Sequence, residues 1–389
     1  MAREELPRRV EGYLLELMDQ FPVVAIVGPR QAGKSTLARR IMARMTAGLY
    51  LDLELPSDLA KLRDPEAYLS MNAAATVCID EVQRFPDLFP LLRALVDRDR
   101  RPGRFLVLGS ASPDLLHQSS ESLAGRIAYV ELQPFSYDEV ASHGELMQHW
   151  LRGGFPESFL AADEAASYRW REQFVRTFLD RDLPALGIDV GKPALERFWT
   201  MVAASNGSLL NKAKFADPIG VSPQTITRYI DILEATFMAR LLRPFFSNTK
   251  KRLVRSPKIY LRDSGLLHTL LGLRSWDALF GHPAIGASWE AYAIEQILGV
   301  LSEWQGSFYR SSGGAEIDLV LQRGGHTVAV ELKSTRSPRV SKGFYQAADD
   351  IRADERYIVA PLPKPELVPY GNGAVLCRPE SLIRRLSAP

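Results

Sequence analysis

The chain has 389 residues, 46% of them hydrophobic and 24% charged, with a formal net charge of +2. That length suits two or three domains, and the apolar share excludes wholesale disorder. Two distant cysteines, Cys78 and Cys377, exclude a disulfide framework. No run reaches the ~18 apolar residues of a membrane span, and the near-neutral total leaves any nucleic-acid contact to a local basic face. Met1 is followed by Ala, Arg, Glu and Glu with no apolar leader, so a cytoplasmic, reducing location is expected, with no membrane partner.

In chain order, Leu6–Gln20 reads as a short amphipathic helix, and Val23–Val27 as a buried strand followed by a helix from Gly33 to Met45. Further short apolar strands are expected at Leu49–Leu53, Val77–Asp80, Phe105–Gly109 and Ile127–Leu132. Strands alternating with helices predict a parallel sheet covered on both faces. Between the first strand and its helix, Gly28, Pro29, Arg30, Gln31, Ala32, Gly33, Lys34 and Ser35, followed by Thr36, fit the phosphate-loop pattern G-x-x-x-x-G-K-[ST] in full. The glycines let backbone N–H groups close around phosphates, and the helix N-terminus adds its positive end. Lys34 is expected on the β- and γ-phosphates of ATP and Ser35 on Mg²⁺. The strand Thr76–Asp80 delivers Asp80 to that magnesium, and Glu81 beside it is placed to polarise an attacking water. On its own this stretch also reads as a strand ending in a solvated acidic turn.

Helical spacing then runs from Tyr137 to Leu183, broken at Gly153-Gly154-Phe155-Pro156, with a Gly- and Pro-rich linker from Pro184 to Pro193. Lys212–Ala216, a turn at Asp217–Val221, and Gln224–Phe237 read as a helix-turn-helix, with Ser222 as N-cap, Pro223 in the first turn and Ile226, Ile230 and Leu233 facing a core. Gln224, Thr225, Thr227 and Arg228 lie near the exposed start of the second helix, where base edges or phosphates of DNA are touched. Lys250, Lys251, Arg252 and Arg255 follow as a basic wing for phosphates. A helical packing domain with a solvated basic loop, or a winged helix that binds only protein, has the same pattern.

Ala287–Leu301 is a strong helix. Strands follow at Ser307–Arg310, Ile317–Gln322 and Thr327–Lys333, the last two joined by a Gly324-Gly325 turn. A helix at about Gly343–Ala353 and a final strand at Arg356–Ala360 close the reading. Residues two apart on a strand share a face, so Glu316 pairs with Asp318 and Glu331 with Lys333, and the hairpin sets Asp318 and Glu331 in a shared pocket. Two carboxylates can bind Mg²⁺, and Lys333 can activate water or steady a phosphate. An outward salt-bridge ladder on an amphipathic hairpin fits the same spacing.

The loop Gly28-Pro29-Arg30-Gln31, the run Asp80-Glu81-Val82-Gln83, Ser122-Leu123-Ala124-Gly125-Arg126 and Gly153-Gly154-Phe155-Pro156 together resemble a group of prokaryotic AAA+ ATPases that carry a winged-helix segment and a restriction-endonuclease-like C-terminal domain. The resemblance covers essentially the whole chain. It implies an α/β architecture: a P-loop AAA+ parallel sheet over 1–135, a helical lid over 136–190, a winged helix over 191–260 and a restriction-endonuclease-like α/β domain over 261–389. It also implies that Ser110, at the end of the fourth strand, senses the γ-phosphate, and that Arg126 reaches a neighbouring subunit's nucleotide. A strand-end cap for Ser110 and a helix-ending arginine for Arg126 stay open. The run from Asp318 to Glu331 and Lys333 is similar to the D…(E/D)-x-K core of those nucleases, with Glu290 matching the upstream acid and Gln346 an auxiliary polar residue. The activity so implied is that of an ATP-dependent DNA-binding ATPase, a hexamer-like homo-oligomeric ring with possible DNA cleavage. The rival is an ATP-gated signalling or defence switch that acts on a protein partner.

Overall fold

The computed structural model describes residues 5–110, 122–186, 188, 190–245 and 254–387. The chain divides into two compact units, one of Met1–Phe135 with Ala235–Phe237 and the other of Ser136–Glu234 with Met238–Pro389.

The first unit is built on five strands: β1 (Val23–Gly28), β2 (Gly48–Asp52), β3 (Thr76–Asp80), β4 (Phe105–Ser110) and β5 (Ile127–Glu131). They pair in parallel in the order β2-β3-β4-β1-β5. Side chains alternate across a strand, so each strand feeds two cores. Val23, Ala25 and Val27 of β1 pack with Val77, Ile79, Phe105 and Val107 against the helix Leu88–Arg98. Val24 and Ile26 pack with Cys78, Leu106 and Leu108 against α1 (Val10–Met18) and α2 (Lys34–Met42). With both faces covered, the strands carry near-continuous apolar runs. β1 and β4 are central and adjacent, so the ends of β1, β3 and β4 come together where α2 begins.

In the second unit, two helices at Lys212–Ile219 and Pro223–Ala235 precede an antiparallel pair, β6 (Ala239–Leu242) and β7 (Lys258–Leu261). The first of these helices runs three residues beyond the expected end, through Pro218, before Gly220 ends it in a left-handed conformation. A proline in the last turn removes only one N–H, and the Gly220 N–H still reaches the Ala216 carbonyl at 3.0 Å. Ile226, Ile230 and Leu233 are buried with Phe215, Trp199 and Leu266.

A six-stranded mixed sheet follows, from β8 (Gln305–Arg310), β9 (Glu316–Arg323), β10 (His326–Leu332), β11 (Glu355–Val359), β12 (Val368–Tyr370) and β13 (Ala374–Cys377), in the order β12-β13-β11-β10-β9-β8. The β9–β10 hairpin turns at Gly324-Gly325, with Arg323 opposite His326. The helices Ile285–Val300 and Pro379–Leu386 cover one face, and Lys342–Asp350 the other. The strand at Glu355–Val359 is not the last. β12 and β13 are three and four residues long, too short to show a period, and β12 contains Pro369.

Candidate functional site

The phosphate loop leaves β1 at Gly28, whose φ of +149 puts it where a side chain is disfavoured. A Cβ there would overlap the Leu132 carbonyl. Gln31 (φ 63) and Gly33 (φ 97) also take left-handed backbone, so the loop curls tightly before α2 begins at Lys34. The Lys34 ammonium is buried and donates to the carbonyls of Gly28 (2.9 Å) and Pro29 (2.8 Å). Burial pulls its pKa down to about 8, against the pull of Glu81 and Asp80. The loop is braced from outside by Arg8, a buried guanidinium that donates to the Ala32 carbonyl (2.8 Å) and the Gln133 carbonyl (2.5 Å) and lies 4.8 Å from the Phe135 ring centre. No motif marks Arg8.

Asp80, at the end of β3, is buried with both oxygens oriented. One accepts the Glu81 N–H at 2.9 Å and the other accepts the Tyr50 hydroxyl. Tyr50 sits on β2 beside Cys78 in the register, and burial, then Asp80, pushes its phenol well above the usual range. Sequence reading missed it. Glu81 holds a left-handed backbone (φ 57), an uncommon state for a residue with a side chain, and accepts from Gln83 Nε2. Burial raises its carboxyl above the ordinary range. The loop fits a triphosphate: backbone N–H groups at a helix start and one desolvated ammonium that hydrogen-bonds to carbonyls and whose burial Asp80 and Glu81 offset only in part. Ser35 and Asp80 are hard oxygen donors that would hold its Mg²⁺.

A second polar cluster lies in the other unit. Asp318 and Val320 share one face of β9, and Ala329 and Glu331 one face of β10. Glu290 comes from the helix Ile285–Val300. Into their midst comes a residue from β7, Lys258, whose ammonium lies 2.9 Å from Glu316 Oε1, 3.1 Å from Glu290 Oε1 and 4.0 Å from Asp318 Oδ1. Tyr260, two residues on, donates to Glu290 Oε1. Asp318 Oδ2 accepts the Leu332 N–H at 2.9 Å, and Lys333 Nζ holds Glu331 Oε1 at 2.7 Å. Burial, then Glu290 and Glu331, raises Asp318 well above the carboxylate range. Lys258 is held above its ordinary range although burial opposes this, because Glu290, Asp318 and Glu316 surround it. Every carboxylate here already faces a lysine, and as arranged the set does not fit a divalent ion. Among the described residues no group of three or more His, Cys, Asp or Glu is disposed to hold a metal. Gln346 is exposed on the helix Lys342–Asp350.

Residues 20–141 match the family described as AAA domain, residues 143–277 a domain of unknown function (DUF8612), and residues 285–375 another (DUF4143). Over 354 residues the chain is 42% identical to uncharacterized protein Rv2008c of Mycobacterium tuberculosis, a match that covers 91% of this chain and 80% of the relative. Uncharacterized protein Mb2031c of Mycobacterium bovis matches to the same extent. The chain belongs to their family. It is a prokaryotic AAA+ ATPase with a C-terminal domain of unknown function. Among solved structures, the Walker-type ATPase PABY2304 of Pyrococcus abyssi is 15% identical, with a TM-score of 0.49, and the match covers 69% of this chain and 97% of that one.

The remaining expected residues of this AAA+ ATPase are scattered or tied down. Ser110 ends β4, beside Gly28 in the register. Arg126 donates to Asp97 at 2.7 Å and to the Ala124 carbonyl at 2.9 Å, and Arg100 and Arg93 also approach Asp97. Gln224 and Arg228 are exposed. Thr225 receives the Ser222 cap at its N–H (3.1 Å), and the Thr227 hydroxyl donates to the Pro223 carbonyl (3.1 Å). Lys250, Lys251 and Arg252 lie outside the described residues. The Gly153-Gly154 turn wraps a buried carboxylate. A Cβ on Gly153 would overlap Asp263, and the N–H groups of Gly154 and Leu266 each donate to it at 2.8 Å. That motif serves packing in this ATPase. In hindsight Lys258 left one trace, a lysine opening the otherwise apolar run Lys258-Ile259-Tyr260-Leu261.

Proposed function

We propose that this chain hydrolyses ATP with Mg²⁺ and uses the cycle to change its grip on DNA, as a homo-oligomeric machine. The observation that supports the ATP reading most is Lys34, a buried ammonium whose present partners are two neutral carbonyls. A triphosphate would supply the charge it lacks. In this reading the loop N–H groups from Arg30 to Thr36 bind phosphate oxygens. Ser35 and Asp80 would hold Mg²⁺, which would supply neutralisation of the charge on the phosphoryl group. Glu81, whose carboxyl burial raises above its ordinary range, would take the proton of the attacking water. Tyr50 orients Asp80. The DNA reading is supported by the exposed Gln224, Arg228 and Arg255 at the helix-turn-helix and its hairpin. Assembly is part of this reading, with Arg126, here paired with Asp97, as the candidate that would have to leave Asp97 to reach a neighbour's phosphates.

The test is the steady-state ATPase rate of wild type, Lys34→Ala and Glu81→Gln, with and without single-stranded, duplex and branched DNA. The expected outcome is loss of nucleotide binding in Lys34→Ala. Glu81→Gln is expected to retain binding with turnover down about a hundredfold or more. Wild-type turnover should change with at least one DNA and fall on dilution. Equal turnover in wild type and Glu81→Gln removes Glu81 from the mechanism, and a rate indifferent to every DNA removes the DNA reading.

A further inference from the structure

We propose that Lys258 is a built-in counter-ion that closes the Glu290–Glu316–Asp318–Glu331 cluster to divalent cations, so that the cluster takes a metal ion only when Lys258 is withdrawn. The ammonium stands within hydrogen-bond distance of Glu316 and Glu290 and within ion-pair distance of Asp318. A divalent ion bound to oxygens at roughly 2.0–2.6 Å would need the same space between these carboxylates. Two cations cannot share it.

Lys258 is not a surface side chain that drifts aside. It is 4% exposed, and its ammonium also sits 5.4 Å from the centre of the Phe308 ring. Its backbone is fixed in β7, opposite Leu242 of β6 and bridged to Leu209. The β6–β7 pair is anchored in turn to the helix that carries Glu290. Glu295, buried on that helix, accepts from Arg240 of β6 and, at 2.9 Å, from Arg262 just past β7. Tyr260 adds a donor to Glu290 from the same strand face. Withdrawal of Lys258 therefore means displacement of β7, and anything that pulls on that hairpin changes the metal affinity of the cluster.

The test is Mn²⁺ binding to the nucleotide-free full chain, read by calorimetry and by water proton relaxation. The variants are Lys258→Met, Lys258→Arg and Lys258→Met with Asp318→Asn. Lys258→Met should bind one additional Mn²⁺ at least tenfold more tightly than wild type. Lys258→Arg should behave as wild type, and the added Asp318→Asn should remove the gain. If Lys258→Met is folded only when Mn²⁺ is present, the ion has replaced the ammonium and the inference stands. Three results overturn it: a Lys258→Met variant that binds no more tightly than wild type, one that stays unfolded in millimolar Mn²⁺, or a wild-type site of equal affinity that Asp318→Asn abolishes.

Discussion

Each unit buries a lysine, and the two are held in opposite ways. Lys34 faces the carbonyls of Gly28 and Pro29, and burial wins, pulling its pKa down to about 8. Lys258 faces Glu290, Glu316 and Asp318, and there the carboxylates outweigh burial and hold the ammonium above its ordinary range. Dipoles of neutral carbonyls do not repay the desolvation of a cation, whereas nearby anions can. A buried ammonium left short of negative charge is poised for an anionic ligand. One already surrounded by carboxylates is satisfied, and it excludes other cations from its neighbours. The same residue type is thus short of negative charge in one unit and surrounded by it in the other.

The largest effect separating the two should appear in stability. Lys258→Ala takes a buried cation from three half-buried carboxylates, of which Glu316 keeps Arg310 at 3.6 Å, and truncation of one partner of a fully buried ion pair typically costs about 3–5 kcal/mol, which sets the upper bound here. Urea unfolding of the second unit should show a loss of up to that size. Lys34→Ala removes a cation whose burial outweighs the attraction of Asp80 and Glu81, and the first unit should stay within about 1 kcal/mol of wild type or gain. Equal losses in the two variants would erase the contrast. A pH series sharpens it. The folded pKa of Lys34 lies below its unfolded value of 10.5, so the unfolded chain holds the extra proton between about pH 8 and that value. Stability of the first unit should therefore rise with pH across that window in wild type relative to Lys34→Ala.

A smaller effect is expected at Asp80. Tyr50→Phe removes one of the two donors that orient this carboxylate. Outer-shell partners of a metal ligand are typically worth about 10–100-fold in metal affinity. The Mg²⁺ concentration for half-maximal ATP turnover should rise about tenfold, with turnover at saturating Mg²⁺ nearly unchanged. An unaltered Mg²⁺ dependence would make Tyr50 a packing residue only.

How much of this was readable from the chain depends on how local each feature is. The phosphate loop is eight consecutive residues between a strand and a helix, and Asp80-Glu81 end a strand, so sequence spacing places them without any knowledge of packing. The hairpin acids are nearly as local, because period-2 alternation and the Gly324-Gly325 turn put Asp318 and Glu331 side by side. Lys258 and Tyr260 come from a strand 60 residues upstream of Asp318, counting from Lys258, and only the packing of β7 against the helix Ile285–Val300 brings them in. Arg8 and Tyr50 are likewise delivered by neighbouring elements of the first unit. β12 and β13 escaped because they are too short to carry a pattern. The Gly153-Gly154 turn was conspicuous in the chain, yet its partner, Asp263, is more than a hundred residues away.

The most direct test of the contrast is proton uptake on ATP binding. Burial holds the pKa of the free Lys34 down to about 8, and pairing with a triphosphate raises it, so binding near pH 8 takes up protons. Titration of Mg-ATP into the full chain at pH 8, in buffers of different ionisation enthalpy, should show net proton uptake. Affinity should fall as the pH is raised further. Binding with no buffer dependence, and with equal affinity at pH 7 and pH 9, would contradict the claim that Lys34 is short of negative charge until the ligand binds.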